Sequence, residues 1–233
     1  MLQRSPHFFA AVACCCLLVG TAASATINKS IRVDADETVE RDLSSVNGSI
    51  TVGPQAVVKG SAETVNGSIA LRDGVSVRGV GSVNGSVQLG SDVTVTGHVE
   101  TVNGQVSTEA GTRIEGDVGT VNGGIRLNGT TVEGGLRTQN GTIRLLSGSV
   151  LRGDLEIGHS PSFWTRFFRL FSSQGTLKVY VEDGSRIEGD VILHDPDRRV
   201  ELVLRDGGSL GGEAQGVRVV RQAEGSSSAT ASD

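Results

Sequence analysis

The phrase Val-Asn-Gly recurs along most of this 233-residue chain and constrains its fold more than any other feature. Its asparagines lie 18 or 19 residues apart, a period too regular for chance and too short for the common helical repeats. Asn-Gly suits a corner because both residues tolerate positive φ. We expect the asparagine amides to stack at one corner of successive coils and to hydrogen-bond to one another as a structural ladder. The predicted ladder consists of Asn47, Asn66, Asn84, Asn103, Asn122 and Asn140.

Two further sets of turn residues divide each period into three segments. A glycine follows each asparagine after 12 or 13 residues, as at Gly79 and Gly97, and a looser set such as Asp73-Gly74 lies between. Apolar residues at alternate positions, such as Val87 and Leu89, are typical of short strands with one inward face. The many glycine and β-branched residues oppose a helix. The sequence therefore predicts an all-β fold, a single-stranded three-sided β-helix (β-solenoid) of about eight coils of 18–19 residues.

The first 25 residues carry the features of a secretory signal peptide. Arg4 precedes an apolar run, and Ala23-Ser24-Ala25 is a small-residue cleavage site. All three cysteines lie in this segment, so we expect no disulfide in the mature chain. Lipidation of one of them is the alternative, although Ala11-Val12-Ala13 departs from a leucine-rich lipidation box. We therefore expect an exported protein of the periplasm or cell envelope.

An aromatic insertion interrupts the repeat where the next asparagine corner is due. It holds the only Trp and all four Phe residues beyond the signal peptide, and Pro161 suits the start of a short amphipathic helix. Three interpretations are open: the helix packs on a solenoid face, lies at a lipid headgroup boundary, or contacts a protein partner. For a membrane or partner, the predicted contact residues within 161–171 are Phe163, Trp164, Arg166, Phe167, Phe168, Arg169 and Phe171. The predicted organisation is a signal peptide at 1–25, an N-terminal lead-in or cap at 26–42, the solenoid at 43–221 with its insertion at 159–173, and a disordered tail at 222–233.

Charge and histidine placement argue against several functions. The formal net charge is −5 and the repeats carry no basic cluster, which excludes nucleic acid as the expected partner. His98 with Glu100, and His194 with Asp195 and Asp197, are local groups that the alternation does not place beside a nucleophile or a second base. We therefore expect no enzyme activity and no cofactor. A solvated charged face explains the recurring carboxylates better than a Ca²⁺ site does. These carboxylates are Asp117, Asp154, Asp190 and Glu213.

Two phrases carry a resemblance to known families. Ile114-Glu115-Gly116-Asp117-Val118 and its echo Ile187-Glu188-Gly189-Asp190-Val191 resemble the bactofilins, which are polymer-forming bacterial β-solenoids. The Thr-Val-Asn-Gly phrase is similar to that of an adhesin-like β-solenoid family of bacterial envelopes. The resemblance covers about residues 43–215 and implies a triangular, right-handed β-helix and, for bactofilins, end-to-end polymerisation without nucleotide. The secretory signal departs from the cytosolic bactofilin pattern.

These observations predict a non-enzymatic structural β-solenoid of the bacterial cell envelope, a scaffold or bactofilin-like polymer subunit that self-associates end to end. One alternative is an adhesin-like surface or membrane-associated binding module that uses the aromatic insertion. A third is a β-helix carbohydrate-active enzyme, which would usually show a groove with aromatic and acidic residues over several coils.

Overall fold

The computed structural model describes residues 27–158 and 176–222. The predicted signal peptide, the aromatic insertion and residues 223–233 lie outside these ranges. Within them the chain is all-β, has no helix, and pairs its strands in parallel, coil upon coil, through about nine turns. The predicted β-solenoid is thus confirmed, with about one turn more than expected.

Each coil contributes strands at three positions, and each position builds a parallel ladder along the solenoid. The first ladder is a 10-stranded sheet. The second and third ladders belong to one 16-stranded sheet, because β5 (Val57–Asn66) and β7 (Ser76–Asn84) run through the corner between them.

The first ladder contains β1 (Ile31–Val33), β4 (Ile50–Val52), β6 (Ile69–Leu71), β8 (Val87–Leu89), β11 (Val106–Thr108), β14 (Ile125–Asn128), β17 (Ile143–Leu146), β20 (Leu177–Val181), β23 (Val200–Leu204) and β26 (Arg218–Arg221). Besides β5 and β7, the second ladder contains β2 (Thr38–Val39), β9 (Thr94–Val95), β12 (Arg113–Ile114), β15 (Thr131–Val132), β18 (Val150–Leu151), β21 (Arg186–Ile187) and β24 (Ser209–Leu210). The third adds β3 (Leu43–Asn47), β10 (Val99–Asn103), β13 (Val118–Asn122), β16 (Leu136–Asn140), β19 (Leu155–Ile157), β22 (Val191–Leu193) and β25 (Ala214–Gln215).

The predicted lead-in forms the additional coil. β1 pairs with β4 in register, so that Ile31 lies opposite Ile50. Asn28 precedes Asn47 by 19 residues and accepts a hydrogen bond from its amide. This coil was not recognisable as a repeat in the sequence, because Lys29 replaces the glycine that follows the other corner asparagines.

A narrow aliphatic core runs along the inside of the coils. In the first ladder Ile50, Ile69 and Val87 occupy equivalent positions on successive strands, and all three are fully buried. Strand alternation places these side chains inward, and neighbouring coils stack them about 4.8 Å apart. Full burial of such a side chain contributes about 1.5–3 kcal/mol, so the repeated column supplies much of the fold's stability.

The corner glycines are needed for close packing between coils. Gly48, Gly85 and Gly104, which follow ladder asparagines, do not have positive φ; among the glycines of this set, only Gly141 does, at 139°. A Cβ on Gly104 would overlap the backbone carbonyl oxygen of Gly85 in the preceding coil. The expectation that Asn-Gly supplies positive φ at this corner is therefore wrong for most coils: the glycine is required because two backbones meet there.

Positive φ occurs instead at the turn between the first and second ladders. Gly74 and Gly111 have φ of 69° and 79°, and Asp92 takes the equivalent place in the coil between them with φ of 56°. This turn is the looser set of turn residues in the sequence, and its tolerance of Asp explains why the set is less regular.

Candidate binding groove on the third ladder

Hydrogen-bonded asparagines line the corner after the third ladder. Each side-chain Nδ2 donates to the Oδ1 of the asparagine in the preceding coil, at 2.7 to 3.0 Å, through six bonds from Asn47 to Asn140. Among the described residues, the buried Oδ1 of Asn140 has no hydrogen-bond partner. The ladder thus ends at the coil beyond which the aromatic insertion begins.

A second row of hydrogen bonds, which the sequence analysis did not identify, supports the same corner. The hydroxyl of Thr101 donates to the carbonyl of Gly85 at 2.9 Å, and Thr64 makes the same bond to Gly48 at 2.9 Å. These inward side chains are buried and satisfy carbonyl groups of the preceding coil. The signal available in the sequence was a Ser or Thr two residues before each of the six ladder asparagines.

The recurring carboxylates accept backbone hydrogen bonds at the corner before the third ladder. Asp117 accepts from the N–H of Gly135 at 2.6 Å, Asp154 from Asp190 at 3.0 Å, and Asp190 from Glu213 at 2.8 Å. Three of the four carboxylates therefore bind the next coil. The described residues contain no group of three or more His, Cys, Asp or Glu side chains arranged to hold a metal ion.

A cavity of about 320 Å³ lies over β5, β7 and β10 in the third ladder. The register places Gly81 directly between Glu63 and Glu100 on neighbouring strands. Because Gly81 has no side chain, a gap separates the two outward-facing acidic side chains. Arg78 and His98 lie at the other side of the cavity. We call this cavity the third-ladder groove.

Among the acidic residues that the structure describes, Glu100 has the most strongly shifted pKa. It is only 8% exposed, and burial raises its pKa from 4.5 to about 7, with a further contribution from the negative charge of Asp117. Arg137 opposes this rise, and Glu63 adds to it. Glu100 is therefore a carboxyl that changes charge near neutral pH.

The structure places His98 and His194 beside the third ladder, each next to an acidic residue of another coil. The Nδ1 of His98 accepts a hydrogen bond from the backbone N–H of Asp117 at 3.0 Å, and the Nε2 of His194 lies 3.6 Å from Glu156 Oε2. Arg137 lies between them, 3.4 Å from both Asp117 and Glu156. Sequence reasoning treated the two pairs as separate, because only the coil register shows that they share one ladder.

The predicted aromatic contact residues, from Phe163 to Phe171, lie outside the described residues. A charged insertion of residues 194–199 lies between β22 and β23, and its Arg198 donates to the backbone carbonyl of Gln139 in β16. This contact places the insertion beside the corner of the third ladder.

The ladders and their registers define the class of the protein as a parallel β-solenoid. Comparison with protein-family models, curated proteins and solved structures found no match. No helix in 27–158 or 176–222 is long and apolar enough to cross a membrane.

Proposed function

We propose that the protein is a non-enzymatic structural β-solenoid of the bacterial cell envelope, a bactofilin-like scaffold or polymer subunit that associates end to end. The main observation that supports the proposal is that the three parallel ladders continue up to both end coils.

The end coils have the geometry that strand pairing between copies requires. In the described part of the chain, β1 pairs only with β4, and β26 pairs only with β23. The outer edge of such a strand is a template for another strand. Apolar side chains are exposed at both ends: Ile27 is 70% exposed and Val219 is 38% exposed.

Extending the existing register predicts the junction between two copies. Val219 continues the apolar column that starts at Ile31, so the next copy would place its Ile31 on Val219. The neighbouring outward pair would be Val220 with Arg32, which brings no like charges together. Because all strands are parallel, one translation repeats this contact and produces a filament.

The export features at residues 1–25 support an envelope location. The engagement of Asp117, Asp154 and Asp190 in bonds between coils supports a structural use of these acids rather than a catalytic one.

Sedimentation velocity of the mature chain, from residue 26, tests this proposal. We expect concentration-dependent assembly that Val219→Lys abolishes, because a second positive charge would enter the inward column next to Arg221. Val57→Lys is the matched control, since Val57 is 36% exposed but lies within the solenoid. Monomers that persist at every concentration, or equal loss with both variants, would contradict end-to-end assembly.

A second candidate is an adhesin-like binding module, which the third-ladder groove favours. It predicts that the mature chain stays monomeric and that filling the groove removes binding to cell-envelope preparations.

A further inference from the structure

The carboxyl of Glu100 is a buried acceptor at the edge of the third-ladder groove. The residue is 8% exposed, and no hydrogen bond or ion pair within residues 27–158 and 176–222 reaches its carboxyl. Arg137, the cation that favours the charged form of Glu100, is paired with Asp117 and Glu156, at 3.4 Å each. Buried carboxyl groups are normally hydrogen-bonded or paired. Glu100 therefore has unused acceptor capacity beside the groove.

The outward column of the third ladder places a glycine on the groove side of Glu100. Successive strands carry Glu63, Gly81 and Glu100 at equivalent positions. Further along the same column, Arg137 stands directly beside Glu156, and the two side chains pair at 3.4 Å. At Gly81, by contrast, two acids flank a position that has no side chain. The charges around this position are those that a bound cation would complement.

The space over Gly81 lies within reach of both acids. The Cγ of Glu63 is 3.7 Å from the place of a Cβ on Gly81, so the Glu63 side chain runs along one edge of this space. The backbones of Glu63 and Glu100 are two strands apart, about 9.6 Å at the usual spacing. Gly79 and Val83 add an uncharged wall, and the whole cavity of about 320 Å³ has the size of a small-molecule site.

An organic ammonium group suits this space better than a metal ion or an anion does. The described residues contain no group of three or more His, Cys, Asp or Glu side chains arranged to hold a metal ion. Ca²⁺ requires more oxygen ligands than two carboxylates provide, whereas an ammonium group only donates hydrogen bonds and is matched by carboxylates. Arg78 lines the groove but is already paired with Asp42 at 2.9 Å, which weakens its attraction for an anionic ligand.

We propose that the third-ladder groove binds a small aliphatic amine, whose primary ammonium group lies over Gly81 between the carboxylates of Glu63 and Glu100. The carbon atoms of the amine lie against Gly79 and Val83. This inference goes beyond both functions proposed above, because neither names a small ligand, and it does not depend on end-to-end assembly.

Binding of the ammonium group depends on the ionisation of Glu100. Burial raises the pKa of Glu100 to about 7, so about one tenth of these carboxyl groups are ionised at about pH 6 and about nine tenths at about pH 8. Because a cation is attracted to the ionised form, the dissociation constant is expected to fall about tenfold over this interval. The other charged groups that face Glu100 or line the groove are Glu63, Asp117, Arg137, Arg78 and His98. A protonated His98 would also repel an ammonium group, so a variant of this residue is a necessary control.

Amide NMR spectra of the mature chain, from residue 26, test the proposal with 1,4-diaminobutane as the probe. The matched neutral control is 1,4-butanediol, in which hydroxyl groups replace both ammonium groups. We expect the diamine to cause saturable shift changes at the amides of Gly79, Gly81 and Glu100, with a dissociation constant about tenfold lower at about pH 8 than at about pH 6. No saturable change, equal changes with the diol, or changes spread over exposed acids such as Glu115 would overturn the proposal.

Two substitutions assign the pH response to one residue. Glu100→Gln is expected to remove the response and to raise the dissociation constant at about pH 8 by about tenfold, because Gln does not ionise. His98→Gln is expected to keep the response. A pH response that persists in Glu100→Gln, or that disappears in His98→Gln, would overturn the assignment of the ammonium site to Glu100.

A further measurement needs no ligand. Gly81→Lys supplies an ammonium group from within the chain, and the strand tolerates the substitution because a Cβ at Gly81 meets nothing closer than Glu63 Cγ at 3.7 Å. Ala70→Lys is the control, since it adds the same side chain outward on β6, beside Gln88. Carboxyl ¹³C NMR is expected to show the pKa of Glu100 lowered from about 7 in Gly81→Lys alone. An unchanged pKa in Gly81→Lys, or equal lowering in both variants, would contradict the proposed site.

Discussion

Replacement of Glu100 by Gln is expected to stabilise the protein at alkaline pH. Burial raises the pKa of Glu100 to about 7 in the folded chain, against 4.5 for an ordinary glutamate. As pH rises, the unfolded chain therefore loses this proton first. The stability that neutral Glu100 contributes is present in full below about pH 4.5 and is lost as pH rises through about 7.

The size of this stability loss follows from the interval between the unfolded and folded pKa values of Glu100. Each pH unit between the two pKa values changes the free energy of unfolding by about 1.4 kcal/mol, which gives a loss of about 3 kcal/mol by pH 8. Gln is nearly isosteric with protonated Glu and does not ionise, so the variant keeps this stability. For a chain of this size the difference corresponds to about 6–12 °C in Tm at pH 8.

Thermal unfolding followed by circular dichroism at several pH values between about 4 and 8 measures this effect. The Tm curves of the parent and Glu100→Gln are expected to converge near pH 4.5 and to separate toward pH 8. Glu115→Gln, which removes an exposed carboxyl from the same sheet, is the control and is expected to follow the parent. Parallel curves for the parent and Glu100→Gln would show that the ionisation of Glu100 does not affect stability.

Three substitutions test the contacts between coils, each by urea unfolding. Gly104→Ala forces a Cβ into the carbonyl of the preceding coil and is expected to cost more than about 3 kcal/mol, against less than about 1 for Gly81→Ala; equal losses would show that close approach is not the constraint. Asn103→Ala breaks the amide ladder on both sides and is expected to cost about 1–2 kcal/mol, more than Asn128→Ala, whose amide bonds to Glu109 outside the ladder. Thr101→Val removes a hydroxyl bond at the same corner for about 1–3 kcal/mol, and no loss would mean that this buried bond is not stabilising.

The repeat period was sufficient to predict the stacked coils, because 18 or 19 residues between equivalent corners leave few other folds for glycine-rich, β-branched segments. It did not indicate why Gly104 is a glycine, since positive φ and backbone contact both select that residue. Only the coil-to-coil distance separates the two causes.

The groove could not be predicted from any single coil. Glu63, Gly81 and Glu100 are distant in sequence and become neighbours only through the register of β5, β7 and β10. The pKa of Glu100 is further affected by Asp117 and Arg137, which come from two other coils. Local pattern therefore predicted the strands, whereas this candidate site follows from how the coils are aligned.

Electron microscopy of the mature protein tests the central proposal, end-to-end assembly, most directly. We expect unbranched filaments one solenoid wide in the parent, and separate particles in Val219→Lys. Separate rods of about 40 Å in the parent, the length of about nine stacked coils, would contradict it.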